Sequence, residues 1–108
     1  MNAQLNSLIS NLINETQGGR IHWSASGVRD EFKLDMQSGV LLISSKHTPE
    51  PKLSLRFFRG LGDEQVLCEA QSMEPDYGFL MNLYNCVQNS FSVTVDSLLS
   101  ELAAISKK

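Results

Sequence analysis

A chain of 108 residues with 42% hydrophobic and 19% charged side chains can bury one core but not two, and lies outside the composition of disordered chains. Its formal net charge of -3 argues against nucleic acid and anionic membranes as partners, since both are held by clustered Lys and Arg. Met1-Asn2-Ala3-Gln4-Leu5 has neither the cationic start nor the apolar run of a secretory signal, and Val40-Leu41-Leu42-Ile43 is far too short to span a bilayer. With only Cys68 and Cys86, well apart in sequence, the expectation is a cytoplasmic protein with two reduced, buried thiols.

Leu5, Leu8, Ile9, Leu12 and Ile13 recur at helical spacing and predict a helix over residues 3–16, closed by Gly18-Gly19. The period then falls to two. Ile21, Trp23 and Ala25 alternate with polar residues, as do Phe32, Leu34 and Met36, and later Leu53, Leu55 and Phe57. Val66, Cys68 and Ala70 form the last such run, and Val40-Leu41-Leu42-Ile43 is apolar on both faces. Thr48-Pro49-Glu50-Pro51 forces a turn, because proline cannot sit inside a ladder. Links this short permit only antiparallel neighbours, so five strands in a meander are expected.

After Pro75 the helical period returns. Phe79, Leu80, Leu83, Tyr84 and Val87 define one helix, expected to end near Asn89-Ser90. A further helix is expected to start at Thr94 as N-cap, with Val95, Leu98, Leu99, Leu102 and Ile105 on its apolar face and Lys107-Lys108 at its end. The predicted whole is a single α+β domain over residues 1–108, with an N-terminal helix, a meander sheet of about five strands, and two C-terminal helices packed on one sheet face.

No phosphate-binding, dinucleotide-binding, nucleophile-elbow, zinc-protease or Cys-x-x-Cys motif occurs. His22 and His47 could share a metal or a proton only if their strands were neighbours; as isolated strand residues they are expected to face solvent. Asp30-Glu31 and Asp63-Glu64 sit at turns, where acids are usually solvated. Alternation turns Cys68 inward, and Trp23 is expected in the core. Phe57-Phe58 must place one ring on each sheet face, and Phe58 stands between Arg56 and Arg59, a combination enriched in binding surfaces.

Charge is distributed unevenly. Residues 1–59 hold seven basic side chains, whereas residues 60–106 hold none but carry seven acids. That division either steers a partner or is neutralised within the molecule. The first helix carries no charge before Glu15 and the second, over residues 77–91, carries none, its polar face being marked instead by Asn82, Asn85 and Asn89. Neutral polar groups are cheaper to desolvate than charged ones, so such a face suits an interface.

These features point away from an enzyme and from any cofactor or bound metal. The expectation is a non-enzymatic protein-binding or assembly module of adaptor, chaperone-like or immunity-like type, meeting a protein partner or a second copy through a helix or sheet face. Its candidate interface residues are Asn82, Asn85, Asn89, Arg56, Phe58 and Arg59. The alternative is a small-molecule binder with a pocket between sheet and helix, lined by Trp23, Met36 and Tyr84.

Overall fold

A computed structural model describes residues 3–47, 50–60 and 62–106, with the backbone alone for 93, 94 and 106. Along the chain run α1 (Ala3–Gln17), β1 (Ser24–Ala25), β2 (Glu31–Met36), β3 (Gly39–Lys46), β4 (Lys52–Phe58), β5 (Glu64–Gln71) and α2 (Tyr77–Ser106). The five strands form one antiparallel sheet in chain order, the meander that the short links require. Thr48 and Pro49 of the expected turn, and Lys107 and Lys108, lie outside the described residues.

Strand register decides what the sheet buries. Leu34 pairs with Leu41, Ile43 with Leu55, Leu55 with Cys68 and Leu53 with Ala70, so one face is lined throughout by apolar side chains. α2 crosses β3, β4 and β5 on that face, and α1 lies against α2. Ile9, Leu80, Leu83 and Val87 of the helices are fully buried with Ile43, Leu53 and Leu55. Each such side chain stabilises the fold by about 1.5–3 kcal/mol relative to exposure.

The β2–β3 hairpin turns through Gln37-Ser38 and returns at Gly39, opposite Met36. A Cβ at Gly39 would lie 2.0 Å from the carbonyl oxygen of Phe58, so only glycine lets β3 and β4 pair here.

Three expectations need correction. First, strict alternation predicts Val66 on the covered face with Cys68 and Ala70. A β-bulge between Leu55 and Arg56 instead makes Leu67 the extra residue on β5. Leu67 packs against the core and Val66 turns to the open face. Second, Phe79 is exposed. It lies roughly a quarter turn from the centre of the stripe formed by Leu80, Leu83, Tyr84 and Val87, too far round to reach the sheet.

Third, the two expected C-terminal helices are one. α2 runs unbroken from Tyr77 to Ser106, and Thr94 sits within it rather than capping a new helix. Residues 89–95 contain no glycine or proline, and the 3.6-residue period passes through Phe91 to Val95 without a phase break. No described helix is long and apolar enough to cross a membrane.

α1 is tied to the sheet through one buried polar chain. The Trp23 indole Nε1 donates to Thr16 Oγ1 at 3.0 Å, and that hydroxyl donates to the Leu12 carbonyl oxygen at 2.6 Å. Thr16 and Trp23 are both buried, so the Thr16 hydroxyl satisfies a group that water cannot reach. Thr16→Val should leave the indole N–H without an acceptor and cost about 1–3 kcal/mol in urea unfolding, while Thr16→Ser should recover most of it.

Burial pushes the Cys68 thiol and the Tyr84 phenol above their ordinary values, with Asp76 and Glu74 adding to the shift at Cys68 and Asp30 at Tyr84. Both groups therefore hold their protons more tightly folded than unfolded. Their contribution is complete below the ordinary thiol value of about 8.5 and is lost as pH rises past it and then past the phenol value of about 10. The urea midpoint should fall from pH 8 to pH 11, and the combined Cys68→Ala and Tyr84→Phe variant should show a shallower fall.

Candidate interaction surfaces

No helix covers the second face of the sheet among the described residues. Alternation places Lys33, Leu42, Ser44, Lys52, Ser54, Arg56, Phe58 and Glu69 there. Arg56 dominates it. Its guanidinium reaches across β3 to Glu31 on β2, and its Nη1 donates to Glu64 on β5 at 2.9 Å. Lys52 pairs with Glu69 at 2.7 Å, and this charged hydrogen bond holds the Glu69 carboxyl below the usual carboxylate range.

Glu31 is thus not the solvated turn acid expected from sequence. It is buried, pairs with Arg56, and accepts a hydrogen bond from Ser26 Oγ at 2.7 Å. Register explains the difference: Glu31 faces Ser44, two residues from the Leu42–Arg56 rung, within reach of a long side chain.

Phe58 is half-buried beside this network, with the Arg56 guanidinium 5.9 Å from its ring centroid. Arg59 is exposed and stands 6.0 Å from the Phe57 ring. Arg56, Phe58 and Arg59 therefore share one end of β4, but Arg56 is occupied by two carboxylates. Asn82, Asn85 and Asn89 are all exposed on α2, on the helix side of the sheet. The two candidate groups lie on opposite sides of the molecule and form no common site.

The histidines stay apart in the topology, since β2 separates β1 from β3. His47 Nε2 lies 3.5 Å from Asp30 Oδ2, a partner 17 residues away that only the β2–β3 hairpin brings close. Among the described residues no three His, Cys, Asp or Glu side chains converge in a way that could hold a metal ion.

Trp23 and Tyr84 are packed in the core, and Met36 is exposed at the end of β2. A cleft of about 380 Å³ opens elsewhere, between the end of α1 and the middle of α2, where Thr16, Gln17, His22, Cys86 and Asn89 meet. Cys86 is consequently half-buried rather than buried, and its sulfur accepts a hydrogen bond from Gln17 Nε2 at 3.5 Å.

The largest surface missed by sequence reasoning is on α2 itself. Val95, Leu98, Leu99, Leu102 and Ile105 were expected to pack on the sheet; Leu98 is 54% exposed, Leu102 59% and Ile105 65%. Helical geometry carries this stripe on from the core-facing stripe with a drift of only about 40°. The side that packs on the sheet in the first half of α2 therefore continues past it. Its last ring contact with the body is Phe91, 5.4 Å from Phe32. The radius of gyration, 15.4 Å, exceeds the roughly 13 Å of an equally long globular chain, as a projecting helix requires.

Comparison with protein-family models, with curated proteins and with solved structures found no match for this chain.

The environments of the two free cysteines predict a simple chemical difference. Cys68 is buried with a raised pKa, which keeps it protonated and hidden, whereas Cys86 borders an open cleft. A thiol reagent such as DTNB should label one cysteine per native chain at pH 8, Cys86, with Cys68 reacting at least tenfold more slowly. Equal rates, or faster labelling in a Cys86→Ser variant, would contradict the described packing.

Proposed function

We propose that this chain is a non-enzymatic protein-binding or assembly module, of adaptor or chaperone-like character, that engages its partner through the projecting part of α2. The observation that carries this reading is the exposed stripe of Val95, Leu98, Leu99, Leu102 and Ile105. Scattered apolar residues are normal on a surface, but five large aliphatics on one helix face are an interaction site or a liability.

The composition of the projection supports the reading. Its only charges among the described residues are Asp96 and Glu101; the rest of its polar surface is serine. A helix built for solvent carries rows of Glu and Lys for propensity and solubility, and the segment 95–105 has only these two acids and no Lys. On the open sheet face, Arg56 and Lys52 are paired with acids on β2 and β5. On the stripe itself hydrophobic contact is the source of affinity.

The α1–α2 cleft supports a second reading as a small-molecule binder, since its volume falls in the range of ligand sites. A ligand-dependent rise in melting temperature that Cys86→Phe removes would favour it.

The test compares the wild-type chain with a Leu98→Asp, Leu102→Asp double variant. Both positions lie outside the core, so the far-UV circular dichroism spectrum should stay close to wild type. A polypeptide, the chain itself included, that binds the wild type with a Kd of about 10 μM or tighter in purified form should bind the variant at least tenfold more weakly. If every polypeptide retained by the wild type is retained equally by the variant, the reading fails.

A further inference from the structure

We infer that the projecting part of α2 pairs antiparallel with the same segment of a second copy of this chain. The inference rests on the reading of the α2 stripe as a binding surface and names its occupant.

Spacing is the first argument. Val95, Leu98, Leu102 and Ile105 follow intervals of 3, 4 and 3 residues, a seam that reads the same in both directions. A two-fold axis near Ser100 sets Val95 against Ile105 of the second copy and Leu98 against Leu102 of the second copy. Every layer is then aliphatic on both sides, and each side chain enters a gap between residues of the facing helix. This is the self-complementary contact that a symmetric dimer needs.

Area is the second. The five exposed side chains offer on the order of 500 Å² of apolar surface, near the upper end for a patch on a monomer. Two such patches face to face can remove up to about 1,000 Å² from water, with Leu99 on the rim, which reaches the threshold for a specific interface.

Shape and charge fix the orientation and the occupant. The stripe begins at Val95, four residues after Phe91 touches the body, so a parallel pair would press two sheet bodies together at one end. The antiparallel pair puts them at opposite ends. The flanks are nearly neutral, with no row of charges to select a different chain. In the antiparallel pair Glu101 of each copy lies near Glu101 of the other, a mild like-charge contact on the rim. Self-pairing therefore has a distinctive signature: removing this acid strengthens it.

Sedimentation equilibrium of the full chain tests the inference. At tens of micromolar the wild type should sediment at twice its 12.0 kDa mass. The Leu98→Asp, Leu102→Asp variant should be monomeric with an unchanged circular dichroism spectrum, and Glu101→Gln should lower the dimer dissociation constant severalfold. In a Cys86→Ser background, oxidising an equimolar mixture of Leu98→Cys and Leu102→Cys chains should give mainly the mixed disulfide.

A dimer that persists in the double aspartate variant overturns this surface, and homodisulfides of Leu98→Cys in preference to the mixed species overturn the antiparallel order. A wild type that stays monomeric to several hundred micromolar overturns the second copy as occupant. If a different purified polypeptide then binds the wild type and not the variant, the binding reading survives alone; if none does, both fall.

Discussion

The sheet offers less surface than its longest helix needs. A helix of 30 residues at 1.5 Å per residue runs about 45 Å, whereas a strand of eight residues extends about 26 Å and five strands side by side span about 20 Å. No placement of α2 on such a sheet can bury all of it, and α1 already takes up room beside it. The molecule's long axis, 53 Å against 30 and 26 Å, records the excess. Separation of the fold into a packed body and an unpartnered apolar helix follows from this mismatch of lengths.

Within the body, much of the architecture was legible because it is local. A period of two names a strand, a short link enforces an antiparallel neighbour, and the aliphatic run at Val40-Leu41-Leu42-Ile43 marks a central position, which β3 occupies. What escaped was set by relations between elements. The bulge that rotates Val66 outward depends on how β5 meets β4 at Leu55 and Arg56, and no pattern within β5 announces it. Glu31 looked like a turn acid because its partner Arg56 is 25 residues away. The unity of α2 was obscured by Asn89-Ser90 and Thr94, which are common at helix ends yet tolerated inside a helix when nothing breaks the backbone. The missing glycine or proline between them was the available signal.

The uneven charge along the sequence resolves in the same way. Basic residues of β4 meet acids of β5 across one ladder, with Lys52 on Glu69 and Arg56 on Glu64, so part of the division along the chain is paired within the sheet. Of the six residues singled out for an interface, Arg56 is engaged with carboxylates and beside Phe58, while the three asparagines and Arg59 stay exposed. Sequence reasoning marked α2 as an under-charged helix by its asparagine side; the exposure of its apolar side escaped because those residues already had a structural explanation.

Trp23 is the sole tryptophan of the chain, and it sits dry at the joint between α1 and the sheet with its indole held by Thr16. Intrinsic fluorescence of this protein is therefore a one-site optical probe. Excited at the indole, the chain emits from the body alone, blue-shifted while that joint is closed and red-shifted once water enters it. The far end of α2 is dark in the same spectrum, so an event confined there leaves the emission of the body unchanged.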